Sequence, residues 1–196
     1  PGSTKEKTGT VVGRIVYKWV QPSLVNRTKD NKDNEACGEY KISEEFVVSS
    51  KNNGIKWAVV SVKGYAKGDF AAREKVLDQK GCRFQPHVLA IEAGDKVNIL
   101  NSDGVLHNIH TSPTGGNPAL NEAQPKFKKE IVKTFNVAPD KIRIKCDVHS
   151  WMNGWIIVAQ SPYNAVTNEN GEFRIENIPI GGQTLTIWHE TLGANE

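Results

Sequence analysis

Short apolar and β-branched runs, alternating with polar residues and broken by Gly, Asn, Asp and Pro, recur along most of the chain. They predict strands at Thr10 to Tyr17, Glu45 to Ser49, Ile55 to Val62, Lys75 to Gln79, Val88 to Ile91, Lys96 to Leu100, Ile131 to Val137, Lys141 to Cys146 and Trp155 to Val158. This is the rhythm of an all-β protein. The best helix candidate is short, Asp69 to Glu74, and there is no heptad, low-complexity tract or tandem repeat. Thr111 to Pro125 carries three prolines and two glycines, and Gln21 to Glu35 is polar and charge-mixed, so both stretches are placed outside the strands. Near the C-terminus, Ala165-Val166-Thr167, a turn at Asn168 to Gly171, the alternating Glu172 to Ile178, a Gly181-Gly182 turn and Thr184 to His189 read as a compact antiparallel unit of three strands. Two β-sandwiches are expected.

Length and composition agree with that reading. A chain of 196 residues with 38% hydrophobic residues has room for one large or two small packed cores. The apolar stretches, such as Trp155 to Ala159, are strand-sized and far short of the roughly 20 residues of a membrane span. The formal charge of +3 is mild, and aromatic residues are not interleaved with basic ones, so nucleic acid is set aside as a partner. Pro1-Gly2-Ser3 resembles what a cleaved tag leaves, and residues 1–8 are expected to form a disordered lead-in; a removed signal peptide would leave no trace. The cysteine count is three. Cys37 and Cys82 stand in similar loop-like settings while Cys146 stands in a cluster of other donors. One disulfide, Cys37 to Cys82, plus one free thiolate fits this count and an exported, oxidising location. Three reduced thiols are the alternative, because spacing alone does not fix connectivity.

Cys146-Asp147-Val148-His149-Ser150-Trp151-Met152 offers a thiolate, an imidazole and a thioether at C-x2-H-x2-M spacing, and His107 closes an upstream segment. Two imidazoles, a thiolate and a weak thioether suit both oxidation states of copper, whereas zinc gains little from the methionine. Taken singly, a cysteine or histidine in a β protein is more often a packed core residue. Here, however, the chain's only methionine follows a histidine by three positions, and that histidine follows a cysteine by three. His107, Cys146, His149 and Met152 are therefore the candidate ligands of one copper ion. His87 and His110 are weighed as ligands of a second metal, but a solvent-facing or hydrogen-bonded role is favoured, since i+3 in a strand points away from i.

The segment from about Glu74 to Ala159 resembles the cupredoxins, especially the plastocyanin and amicyanin types. The likeness lies in HVLAIEAGDKVNILNSDGVLHNIH, with its Ala93-Gly94-Asp95-Lys96 turn and His107-Asn108 pair, and in FNVAPDKIRIKCDVHSWM with its short ligand loop. The resemblance implies a Greek-key β-sandwich, a single blue (type 1) copper ion passing between Cu(I) and Cu(II), and an Asn108 side chain that ties the two ligand-bearing segments together. It also implies that the His149 ring edge lies near the surface, where electrons would leave. GTVVGRIVY, IKWAVVSV and AVTNENGEFRIENIPIGGQTLTIWHE resemble pieces of the transthyretin-like, carboxypeptidase-regulatory sandwich, a non-catalytic domain. The expected organisation is a discontinuous carrier sandwich at 9–65 and 161–194 holding a copper domain at 66–160, with the Cys37 to Cys82 bridge stapling carrier to insert. In that carrier His189 and Glu190 are read as packing residues.

The function expected is electron transfer, not enzymatic turnover, in the bacterial periplasm or an equivalent compartment. Its partner would be a c-type cytochrome or another copper protein. A copper nitrite reductase would need three further histidines for a second copper, and the chain has five histidines in all. The alternative is a copper chaperone, storage or sensor module, although such proteins favour Met-rich or C-x-x-C clusters that are absent here. Lys126, Lys128, Lys129, Lys133, Lys141, Arg143 and Lys145, against Glu130 and Asp140, suggest a basic face that would steer an acidic partner.

Overall fold

The structure is a computed structural model that describes residues 7–19, 27–29, 33–66 and 71–195. In chain order the elements begin with β1 (Thr8–Arg14), β2 (Arg27–Lys29), α1 (Asn34–Cys37), β3 (Tyr40–Ile42), β4 (Val59–Val62), β5 (Glu74–Gln79) and β6 (Phe84–Gln85). They continue with β7 (Val88–Glu92), β8 (Lys96–Asn101), β9 (His107–Ser112), β10 (Asn121–Gln124), β11 (Glu130–Thr134) and β12 (Asp140–Lys145). The last are β13 (Asn153–Ala159), β14 (Asn164–Val166), β15 (Glu172–Pro179), β16 (Leu185–His189) and β17 (Gly193–Asn195). The described residues are all-β apart from the single turn of α1. No helix among the described residues is long and apolar enough to cross a membrane.

The chain divides into two compact units, whose described parts are residues 7–19, 46–66 and 161–195, and residues 27–29, 33–45 and 71–160. The second unit is a sandwich of a five-stranded sheet, β10-β9-β12-β13-β7, and a four-stranded sheet, β11-β8-β5-β6. Two strand pairs are parallel, β13 with β7 and β5 with β8. Alternation decides which side chains meet between the sheets. In β12, Ile142 and Ile144 are buried while Lys141, Arg143 and Lys145 point to solvent. Leu77, Val97, Ile99 and Ile131 from one sheet pack with Ile91, Ile109, Ile142, Ile144, Ile156 and Val158 from the other. Each such aliphatic side chain contributes roughly 1.5–3 kcal/mol on burial, so this layer holds the sheets face to face. Gly154 lets β13 run close to β7, since a Cβ there would lie 2.6 Å from the His87 carbonyl oxygen.

The first unit has a two-stranded ribbon, β1-β15, and a four-stranded sheet, β14-β4-β16-β17, around Val60, Val62, Phe173, Ile175 and Ile178. His189 is buried here; its Nε2 donates to the Lys56 carbonyl at 3.2 Å, its Nδ1 accepts the Thr191 N–H at 3.2 Å, and Phe46 meets it edge-on. That is a packing role.

Several elements differ from the pattern reading. The stretch Glu45 to Ser49 forms only an isolated bridge, Val48 to Ile55, and the strand expected from Ile55 begins at Val59 because the chain turns at Trp57, whose φ is 68°. Asp69 and Phe70 lie outside the described residues, but residues 71–73 are not helical and Glu74 opens β5; Leu77 and Gln79 face inward with strand spacing, which a helix would scatter. Both stretches assigned to loops contain strands. Arg27–Lys29 pairs with Tyr40–Ile42, and Asn121–Gln124 pairs with β9 as an edge. Polar edge strands carry no apolar alternation and are silent to pattern reading. The three C-terminal strands do not pair with one another: β14 and β16 flank β4 while β15 pairs with β1. Thr8 of the expected lead-in belongs to β1, and residues 1–6 lie outside the described residues. Residues 33–45 belong to the second unit together with residues 71–160.

Candidate metal centre

Cys146 leaves β12 and Met152 enters β13, and the ladder between these strands continues across them: Cys146 N–H donates to the Met152 carbonyl at 3.0 Å. The five residues between are gathered into a tight turn by Met152 N–H donating to the His149 carbonyl at 2.9 Å. This returns His149 over Cys146. The first residue of β9, His107, lies in the strand next to β12. The His107 and His149 Nδ1 atoms stand 3.0 Å apart, and Cys146 Sγ is 4.0 Å from the first and 3.7 Å from the second. Both histidines are 0% exposed, and Cys146 and Met152 are buried in the same core.

Each imidazole has a carboxylate on its outer nitrogen. His107 Nε2 lies 3.0 Å from Asp103 Oδ2, and His149 Nε2 lies 3.0 Å from Asp33 Oδ2. A carboxylate only accepts, so both Nε2 atoms carry a hydrogen and both Nδ1 atoms face the thiol, where a metal would take the place of any proton held there. Three convergent donors, two imidazole nitrogens and a sulfur, with two carboxylates behind them, form a pocket that calls for positive charge. Without a metal it is met by a proton. Burial pushes the His107 imidazolium down, but hydrogen bonds to Asp103 and Cys146 outweigh it and raise the group to about 9. Burial likewise pushes the Cys146 thiol up, but hydrogen bonds from His107 and His149 and from the Asn108 backbone outweigh it and bring it down to about 6. A thiolate among imidazoles in a dry site is the donor set of a soft, redox-active ion, and these residues fit copper.

Asn108 bridges the ligand segments. Its Oδ1 accepts the Asp147 N–H at 2.6 Å, and its Nδ2 donates to Asn121 Oδ1 at 2.9 Å and Asp147 Oδ2 at 3.1 Å. His110 turns away from His107: its Nδ1 bonds Asp147 Oδ2 at 2.8 Å with 30% of the side chain exposed. His87 is buried, and its carbonyl accepts the Trp155 N–H at 2.8 Å. Among the described residues neither His87 nor His110 joins a cluster of three metal-ligating side chains.

Cys37 and Cys82 form a disulfide with Cα atoms 5.2 Å apart, and Cys146 is the free cysteine. The bridge lies within the second unit, which corrects the expectation that it staples two domains. It holds the segment of α1 and β3 over the ligand loop, with Cys37 Sγ 3.9 Å from His149 Nε2. The exposed ring edge expected of His149 is therefore also corrected, because Asp33 and Cys37 cover it. Lys128 and Lys133 both pair with Glu122 at 2.6 Å, and Lys145 pairs with Asp147 at 3.0 Å. Three of the seven basic residues of the expected face thus have carboxylate partners, two of them sharing one. Pattern reading missed Asp33 and Asp103. Asp103 stands four positions before His107, a signal that could have been followed; Asp33 lies 116 positions from His149 and carried none.

No family model matches the chain, and no curated protein matches it. Among solved structures, amicyanin from Paracoccus versutus (Thiobacillus versutus) aligns at 25% identity over 50% of this chain and 96% of its own, with a TM-score of 0.39. A Cu(I) form of an amicyanin variant aligns at 21% identity over 50% of this chain and 97% of its own, with a TM-score of 0.39. A copper-containing nitrite reductase from Thermus scotoductus SA-01 aligns at 22% identity over 50% of this chain and 25% of its own, with a TM-score of 0.40.

Proposed function

We propose that the second unit is a mononuclear type 1 copper centre of cupredoxin kind, held by His107, Cys146, His149 and Met152, and that the protein carries single electrons between exported redox proteins such as a c-type cytochrome or another copper protein. The observation that carries the reading is the convergence of two Nδ1 atoms and the Cys146 sulfur in one buried pocket. When bound, copper would supply one-electron chemistry between Cu(I) and Cu(II). The chain's own residues supply the rest: the two imidazoles and the thiolate are fixed before metal arrives, Asn108 locks the ligand loop, and the sandwich excludes water. Fixed ligands suit electron transfer because little has to rearrange when the charge changes. Burial of both histidines weighs against a chaperone, which must present ligands to a recipient. The unit formed by residues 7–19, 46–66 and 161–195 is read as a transthyretin-like carrier into which the copper unit is inserted.

The test is the visible spectrum of copper-loaded protein. A thiolate-to-copper band that bleaches on reduction and returns on oxidation is expected, and Cys146→Ser should abolish it. Full occupancy by zinc with no colour after copper loading would overturn the reading.

A further inference from the structure

Both ligand histidines end on carboxylates, and one covalent bridge anchors the two carboxylates. Asp103 accepts the backbone N–H of Cys82 at 2.8 Å and of Gly81 at 2.7 Å, so its carboxylate is fixed before it meets His107. Asp33 precedes α1, and its carbonyl accepts the N–H of Ala36 at 2.9 Å and of Cys37 at 2.8 Å. An aspartate in that position ordinarily turns its carboxylate back to cap the helix. Here it makes no such bond, and the carboxylate reaches His149 instead. Cys37 and Cys82 are the two ends of the disulfide, so the same bridge sets both acids.

We propose that Asp33 and Asp103 are positioning residues for the two ligand histidines: each accepts the Nε2–H of one ring, turns its Nδ1 toward the metal pocket, and by its charge favours the more highly charged Cu(II) state. With the Cys146 thiolate, these acids place three negative charges around the pocket. The bound ion with one charge more gains more from them, so reduction is disfavoured relative to a centre whose histidines end on neutral acceptors. Asp103 is the stronger of the two, because its side chain is 9% exposed against 41% for Asp33 and is less screened by solvent.

This rests on the copper reading above, and the experiment keeps the two apart. Its first arm needs no copper. In metal-free protein labelled with 15N in its histidines, both rings should carry a hydrogen-bonded Nε2–H, whether or not Nδ1 is also protonated, and Asp33→Asn should change the His149 signal alone. A ring found as the Nδ1–H tautomer would overturn the placement whether or not copper binds. The second arm is voltammetry of the coloured protein. Asp33→Asn, which changes a partly exposed side chain and leaves the fold intact, should raise the Cu(I)/Cu(II) ratio at fixed potential about threefold. Asp103→Asn should raise it about tenfold, which is about 59 mV for one electron. Asp33→Glu should return toward the wild-type value. Coloured variants with less than a twofold change would overturn the charge role and leave the copper reading standing; a colourless wild type would overturn the copper reading.

Discussion

The disulfide sets the stability of the second unit, and its contribution follows from chain length. Cys37 and Cys82 close a loop across 45 positions. Confining the unfolded chain to that loop removes about 13 cal/mol/K of entropy, or about 4 kcal/mol at 25 °C. Both cysteines are buried in the core that also holds Leu77, Phe84 and Cys146, so replacing the pair by alanine adds a small cavity term of about 1 kcal/mol. A loss near 4–5 kcal/mol is a large share of the roughly 5–15 kcal/mol that stabilises a domain. Hydrogen exchange reads the unit by itself. In metal-free C37A/C82A without reductant, amides of Asp140–Lys145 and Asn153–Ala159, which are interior strands of the five-stranded sheet, should lose about three decades of protection. Protection within tenfold of wild type would mean that the unfolded chain is already confined near this loop, and the entropic account would fail.

Asn108→Ala removes three hydrogen bonds and leaves the Asp147 N–H without its 2.6 Å acceptor, so chemical denaturation should show a loss of about 2–3 kcal/mol; an unchanged midpoint would show that β9 and the ligand loop hold together without it. Asp140 is buried and accepts the N–H groups of Thr114 at 2.8 Å, Gly115 at 2.6 Å and Asn117 at 3.3 Å, together with the Asn117 Nδ2 at 2.8 Å. Burial pushes its carboxyl up, but these donors outweigh it and hold it below the ordinary value. A depressed carboxyl contributes stability that is fully present above its unfolded value, near 4, and that is lost as pH falls through the lower folded value. Asp140→Asn should therefore cost about 3 kcal/mol at pH 7, with the gap between variant and wild type narrowing only below about pH 4; a gap that stays constant down to pH 2 would refute it.

The all-β class and the identity of the donors were legible in the chain because both are local. Ile142 and Ile144 alternate with Lys141, Arg143 and Lys145, and that two-residue period can produce only a strand with one buried face. Cysteine, histidine and methionine spaced by three on a loop between two such strands likewise need no distant partner to be noticed. Polar edges were not legible: Arg27–Lys29 and Asn121–Gln124 become strands because a neighbouring strand offers free hydrogen-bonding groups, and side-chain pattern does not record that. Nor was the environment of the ligands. Asp33 meets His149 across 116 positions only because the Cys37 to Cys82 bond returns that segment over the ligand loop, so an expected exposed ring edge becomes a buried one. The sequence by itself determined which atoms can bind a metal, since donor chemistry belongs to each side chain. Tertiary structure alone decided which nitrogens carry hydrogen and which charges lie behind them, because those depend on contacts made between residues far apart in the chain.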